Sequence, residues 1–172
     1  METNKIIICG FSGIGKSSAK KHYDMEIKLR NSVNSYIGEK HKEHKRIIDC
    51  ESSGWSHIWK DDAEQGRNPE FPKNYIDDII KLMESDVGDV FLLSCHESVR
   101  MELKRRGFKY IIVLPTLNQR NDYLKRWLKR GSDIDFITKM NERWDKMIDS
   151  CANDDAPKIY LDEGEYLSDI LV

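Results

Sequence analysis

No apolar run in the chain approaches the roughly 20 residues that a membrane span needs. The N-terminal run in "METNKIIICG" is far too short for the core of a secretion signal. Membrane insertion and export are therefore not expected, and a cytoplasmic location is. A CxxC pair is missing too. The four cysteines, Cys9, Cys50, Cys95 and Cys151, stand far apart, so spacing implies neither a metal site nor a disulfide framework. Cys9, Cys50 and Cys95 sit at or near the ends of apolar runs, so buried free thiols are the expectation there, and a reducing compartment fits. An excess of positive charge is also lacking. With 28 Lys and Arg against 30 Asp and Glu the formal net charge is −2, which is not the basic footprint of a dedicated nucleic-acid binder. No repeat and no low-complexity linker divides the 172 residues, so one domain over 1–172 is expected. What remains is 39% hydrophobic and 34% charged residues, enough for a modest core under a well-solvated surface.

Apolar runs alternate with amphipathic segments. Ile6 to Ile8 reads as a buried strand, Ser17 to about Leu29 as a helix, and Ile47-Ile48 as a second strand. Tyr75, Ile76, Ile79, Ile80 and Met83 share one helical face by their i, i+3, i+4 spacing. "DVFLLS" is a third strand and "YIIVLP" a fourth. Ser94 with Glu97, and Thr116 with Gln119, have the spacing of capping boxes. Gly107 and Gly131 suit helix C-termini. Ser132 is placed to cap a further helix with Ile134, Ile137, Met140, Trp144, Met147 and Ile148 on its apolar face. "KIYL" is a fifth strand, followed by a short helix from Glu165 to Leu171. The order βαβαβαβααβα predicts an α/β fold with a parallel sheet covered on both faces. Ligands of such sheets bind at the carboxyl ends of the strands. Polar residues do collect there: Ser12, Lys16 and Ser17; Asp49, Glu51 and Ser52; His96; Asn118 and Arg120.

The stretch "GFSGIGKSS" gives the sharpest chemical signal. Gly10, Gly15, Lys16 and Ser17 satisfy G-x-x-x-x-G-K-[ST] between a strand and a helix. Glycines let the backbone wrap a phosphate, the lysine reaches β and γ oxygens, and the hydroxyl binds Mg²⁺. Gly13 adds a further pliable position. The expected nucleotide contacts are Gly10, Ser12, Gly13, Ile14, Gly15, Lys16, Ser17 and Ser18. The third strand ends without an acid, so Asp49 is the expected second metal-side group. It can hold Mg²⁺ or accept a hydroxyl's proton. Glu51 is the weaker candidate for that work.

Beyond the fourth strand, Arg126 and Arg130 share a helix face, with Arg120 nearer the strand end and Arg143 on the following helix. Guanidinium groups suit triphosphate oxygens, although a solvated basic face has the same pattern. Basic residues from Lys104 to Lys109 cluster at a helix C-terminus, where they compensate its dipole. The segment from Trp55 to Tyr75 reads as a long polar loop. Its aromatics, with Arg67 and Asn68, suit an acceptor. Tyr75 fits core packing equally well, and His57 and His96 are further possible contacts.

This layout resembles the P-loop nucleotide kinases of the nucleoside monophosphate kinase-like group, and within it small, often phage-encoded, nucleotide kinases. "GFSGIGKSS", "IIDCESSGW", "RNPEFPKNYI", "VFLLSCHESVR", "YIIVLP" and "YLKRWLKRGSDIDFITKMNERWDKMI" carry the resemblance. It implies a three-layer fold with five parallel strands in the order 2-3-1-4-5. It implies a helical lid around 116–150 whose arginines, Arg126, Arg130 and Arg143, close on ATP. It implies Mg²⁺-ATP as donor and an acceptor near Asp49 to Trp55 and Asn68 to Tyr75, with Glu51, Ser52, Ser53, Trp55, Arg67, Asn68, Tyr75 and His96 as its contacts. A phage-encoded relative would work in the host cytoplasm. The chain departs from the pattern after strand three, where "SCHESVR" replaces an Asp-Arg-Tyr type acceptor signature. Its lid is a short helical hairpin.

The expected activity is transfer of the ATP γ-phosphoryl group to a small nucleotide or nucleoside, with Lys16, Asp49, Arg126 and Arg130 as catalytic residues and Ser17 and Asp49 at the metal. One alternative is a kinase of 5′-hydroxyl nucleic-acid ends, against which the near-neutral charge counts. A second is hydrolysis of the triphosphate. The third is a nucleotide-binding regulator without turnover. The absence of an N-K-x-D signature argues against a guanine-nucleotide switch.

Overall fold

The computed structural model describes residues 4–19 and 46–170. Its strands are β1 (Ile6–Gly10), β2 (Ile47–Cys50), β3 (His57–Lys60), β4 (Ala63–Arg67), β5 (Val90–Ser94), β6 (Ile111–Pro115) and β7 (Lys158–Leu161). Its helices are α1 (Lys16–Ala19), α2 (Ser53–Ser56), α3 (Lys73–Glu84), α4 (Glu97–Arg105), α5 (Arg120–Lys129), α6 (Ile134–Glu142), α7 (Trp144–Ala152) and α8 (Leu167–Ile170). The part of the first predicted helix beyond residue 19 lies outside the described residues.

Five strands form one sheet in the order β2-β5-β1-β6-β7, and all of its pairings are parallel. Numbered among themselves along the chain, these five run second, third, first, fourth, fifth. Every residue of β1 and β6 is buried. Successive side chains of a strand point to opposite faces, so complete burial means that both faces of the sheet are covered. This is why the strands read as continuous apolar runs rather than alternating ones. Connections from β1 lead first to β2 and β5 on one side, and β6 and β7 follow on the other. The chain thus diverges at β1 and leaves a crevice at its carboxyl end, where ligands of open α/β sheets bind.

The predicted α3 forms as its spacing requires, burying Tyr75, Ile76, Ile79 and Met83. Each such burial contributes about 1.5–3 kcal/mol. Helices α4 and α5 both end in Schellman motifs. Gly107 donates to Lys104 O and Phe108 to Leu103 O, and Gly131 donates to Leu128 O and Ser132 to Trp127 O.

Several local expectations are overturned. The predicted loop from Trp55 to Tyr75 instead begins in the second half of α2 and contains an antiparallel hairpin of β3 and β4. Asp61 and Asp62 turn it, both at positive φ (51° and 61°), which is the backbone of a type I′ hairpin turn. Neither capping box closes. Ser94 Oγ donates to Ser52 Oγ and His96 takes the cap position of α4. Thr116 Oγ1 turns to Asn118 while Gln119 Nε2 donates to Leu161 O. Asp133, not Ser132, caps α6 by accepting from Asp135 N–H. The apolar helix after it is two helices, α6 and α7, parted at Arg143, and Ile134 is exposed. The basic cluster at the end of α4 has side-chain partners that dipole compensation did not require: Lys104 with Asp154 and Asp155, Arg105 with Glu102, and Arg106 with Glu102 and Asp77.

The arm of α5 to α7 is fastened to the strand-to-loop junction by aromatic packing. Phe11 stands edge-on to Trp144 at 5.4 Å, and Tyr123 and Trp127 lie 5.5 and 6.2 Å from the same indole. Pairs of this kind add about 0.5–1.5 kcal/mol beyond their area. Among the described residues no helix is long and apolar enough to cross a membrane.

Candidate functional site

The Gly10–Ser17 segment leaves β1 and curls over the divergence point of the sheet. A Cβ on Gly10 would sit 2.6 Å from Ile14 Cδ1. Gly13 and Gly15 have φ of +90° and +89°, and added Cβ atoms there would meet Trp127 Nε1 at 2.9 Å and Tyr166 Cδ1 at 3.1 Å. Three tight approaches, two with left-handed backbone, explain why this stretch needs glycine. Ile14 is fully buried beneath the loop, and its carbonyl accepts from Leu167 N–H at 2.7 Å. That bond ties α8 to the loop. Lys16 Nζ donates to the carbonyls of Gly10 and Phe11 at 2.9 and 3.3 Å. Desolvation lowers the Lys16 pKa from its ordinary value, against the raising influence of Cys95 and Asp49.

Ser17 Oγ donates to Asp49 Oδ2 at 2.8 Å. The other oxygen, Asp49 Oδ1, is buried with no hydrogen-bond partner among the described residues. A buried carboxylate oxygen left unpaired is costly unless something else satisfies it. A divalent cation beside Ser17 fits that demand. No group of three or more His, Cys, Asp or Glu that could hold a metal exists among the described residues. Ser17 Oγ and Asp49 Oδ1 are the two oxygens here that could face such a cation, and a Mg²⁺ ion takes one or two protein oxygens and keeps waters for the rest.

A cavity of ≈ 1560 Å³ extends from the loop, larger than the ~300–1,000 Å³ typical for one small ligand. Asp49, Glu51, Ser52, Ser94, His96 and Arg67 line one side of it. Ser52 is buried, and its hydroxyl accepts from Ser94 Oγ at 2.7 Å. Glu51 accepts from Ser53 N–H at 2.8 Å and from the Ser53 hydroxyl. Desolvation of the His96 ring, with the charges of Arg67 and Lys16 beside it, lowers its pKa from the ordinary value.

The arm lines the other side. Arg126 is buried, pairs with Asp122 at 2.9 Å, donates to Gly13 O at 3.3 Å, and stacks over the Tyr166 ring at 4.0 Å. Arg130 reaches Ser12 Oγ at 3.4 Å. Lys125, Lys129, Lys139, Arg143 and Lys146 also line the cavity, and none of them has an ion-pair partner among the described residues.

The sheet thus brings Gly10, Ser12, Gly13, Gly15, Lys16, Ser17, Asp49, Glu51, Ser52, Arg67, His96, Arg126 and Arg130 to one cavity. Other expected contacts sit elsewhere. Tyr75 is fully buried and donates its hydroxyl to Cys50 O. Trp55 packs on Tyr75 at 5.3 Å and donates to Asp78 at 2.9 Å. Asn68 turns the chain by accepting from Glu70 N–H. Ser53 donates its N–H and hydroxyl to Glu51, and its carbonyl accepts from Trp59 Nε1. The Ser18 side chain lies outside the described residues, although its backbone belongs to α1. Asn118 and Arg120 do not line the cavity. A 3₁₀ turn at Leu117–Gln119 diverts the chain, and Arg120 pairs with Asp145 at 2.7 Å. Tyr166 was missed, although it follows the carboxyl end of β7, where the same strand-end rule would have found it.

Comparison of the chain with models of known protein families gives no match, and comparison with curated proteins gives none either.

Proposed function

We propose that the chain is a Mg²⁺-dependent ATP phosphotransferase of the P-loop kinase type, moving the γ-phosphoryl group to a small nucleotide or nucleoside. The observation that carries this reading is the Ser17–Asp49 pair, whose Asp49 Oδ1 has no hydrogen-bond partner among the described residues, set beside the glycine loop and Lys16. The strand order of the sheet and the crevice at β1 agree with it. Bound Mg²⁺ would neutralise charge on the β and γ oxygens. Phosphoryl transfer needs placement and charge stabilisation more than covalent help, and the side chains supply both. The loop backbone and Lys16 hold the triphosphate, with Arg130 closing from the arm. Ser52, Arg67 and His96 hold the acceptor across the cavity, and Asp49 and Glu51 stand where an acceptor proton would leave. Arg126 and Tyr166 flank the loop on the side away from the acceptor, as a wall for the donor.

A second reading, a kinase of 5′-hydroxyl nucleic-acid ends, draws support from the cations Lys125, Lys129, Lys139, Arg143 and Lys146, which line the cavity and make no ion pair among the described residues. They exceed what one nucleotide pair demands and would follow a phosphate backbone. One experiment separates the readings: γ-labelled ATP with Mg²⁺ and a panel of nucleosides, nucleoside monophosphates and 5′-hydroxyl oligonucleotides. Label on a nucleoside or monophosphate supports the first reading, and label on oligonucleotide ends replaces it with the second. Label released only as phosphate indicates hydrolysis. Tight ATP binding with no turnover indicates a regulator.

A further inference from the structure

Cys95 follows β5, and Cys151 is the last but one residue of α7. They are 56 positions apart in the chain, yet their sulfurs are 3.2 Å apart, one S–H donating to the other sulfur. Both line the cavity, whereas Cys9 and Cys50 do not. The contact is braced from beside. The buried Arg100 guanidinium donates to Cys95 O at 3.3 Å, to Ser150 O at 3.2 Å and to Ser150 Oγ at 2.6 Å, and is itself paired with Asp154 at 2.7 Å. One planar cation thus holds the backbone of Cys95 and that of the residue preceding Cys151. None of these groups is needed for phosphoryl transfer.

We propose that Cys95 and Cys151 are a redox-reactive dithiol site on the cavity wall, which reduces a hydroperoxide and closes to an intramolecular disulfide. The sulfurs need to approach by only about 1 Å to reach the ~2.05 Å of an S–S bond, and the Arg100 brace already holds the two segments together. The hydrogen bond from Cys95 lowers the Cys151 pKa against the effect of burial, with Arg100 nearby adding to the lowering, while Cys95 moves up. Either sulfur can attack while the other resolves: Cys151 is the thiol whose pKa is lowered, and Cys95 is the more exposed of the two.

In the first step one of the two sulfurs attacks one peroxide oxygen. An S–O bond forms, the O–O bond breaks, and the alkoxide leaves with the proton that this thiol gave up. In the second step the other sulfur attacks the first. The S–S bond forms, the S–O bond breaks, and hydroxide leaves as water with the second thiol's proton. Two thiols and one hydroperoxide become one disulfide, one alcohol and one water, and the two electrons taken from sulfur reduce the O–O bond.

The test uses the whole protein and hydrogen peroxide in small excess, followed by an acid quench and a thiol count in denaturant. The count should fall from four to two. Digestion should yield one linked peptide pair joining Cys95 to Cys151, with the mass of the reduced peptides less two hydrogens, and a reducing agent should restore all four thiols. Cys95→Ser and Cys151→Ser should each abolish the linked pair. The attacking cysteine should go to sulfinic acid in the variant that lacks its partner, and the variant that lacks the attacker should keep three thiols at the same dose. The proposal is overturned if four thiols survive, if wild-type Cys95 or Cys151 is oxidised to sulfinic acid without a linked peptide, or if the linked peptide contains Cys9 or Cys50.

Discussion

The Ser17 hydroxyl donates to Asp49 at 2.8 Å, joining the end of the glycine loop to the end of β2, and the second carboxylate oxygen of Asp49 is buried unpaired among the described residues. Such an arrangement costs stability when nothing binds, so it is a place where function and stability pull apart. Replacing Asp49 by Asn should lower phosphoryl transfer about 10²–10³-fold, the size seen when one transition-state electrostatic contact is lost. The melting temperature without nucleotide should stay equal to or rise above that of the wild type. A variant that loses activity by losing its fold would show the opposite shift in a thermal scan.

Arg67 reaches the cavity from β4 and makes no ion pair among the described residues. If it holds the acceptor's anionic end, Arg67→Ala should raise the acceptor KM by about tenfold or more, the loss of one charge-assisted contact. The KM for ATP should stay where it is, and kcat should change little, because the group binds ground and transition states alike. Steady-state kinetics with each substrate varied in turn decides this. An ATP-side effect would move Arg67 to the donor.

Gly13 combines a φ of +90° with a Cβ position 2.9 Å from Trp127 Nε1. Gly13→Ala should therefore destabilise the protein by about 1–3 kcal/mol through overpacking and backbone strain together. Combining it with Trp127→Phe removes the nearest atom. The double mutant should then lose less than the sum of the single losses, by more than about 0.5 kcal/mol. Urea unfolding of the four proteins measures the cycle.

The Asp154 side chain is 6% exposed and receives Arg100, Lys104, Tyr110 and the Ala156 N–H. Burial alone would raise its pKa. Those partners instead hold it well below the usual carboxylate range. Its folded pKa thus lies below the ~3.9 of the unfolded chain. The stability it contributes is complete above about pH 4 and is lost as the pH falls through the folded value. Asp154→Asn should lose about 3–5 kcal/mol near neutral pH by stranding the buried Arg100 charge. It should also flatten the acid limb of stability against pH, read by denaturant unfolding between about pH 2 and 6.

Much of this protein was legible along the chain because its strands are buried on both faces. Ile6, Ile7, Ile8 and Cys9, and likewise Val90 to Leu93, are unbroken apolar runs that only a covered parallel strand explains. The β3–β4 hairpin left no such mark. His57–Lys60 and Ala63–Arg67 are mostly exposed, so no face of either strand had to be apolar, and the Asp61-Asp62 turn lacks the glycine that signals a type I′ bend. Local cap signals failed for a different reason. The Ser94, Thr116 and Gln119 side chains found partners in Ser52, Asn118 and Leu161, and a hydrogen bond offered by packing displaced the one offered by sequence neighbours.

By itself, the sequence determined the alternation of strands and helices and the position of the glycine loop, because periodicity and backbone sterics act over a few residues. Asp49 as the loop's acidic partner was also legible, since a strand's end is a local property and the sheet gathers such ends into one crevice. Tertiary structure alone decided which residues share that crevice. It sent Trp55 and Tyr75 into packing, turned Arg120 to Asp145, and brought Arg67, Tyr166 and the arm's lysines to the cavity. It also set Cys95 and Cys151 3.2 Å apart across 56 residues. Contacts of that separation depend on how whole elements pack, and no local pattern along the chain encodes the distance between them.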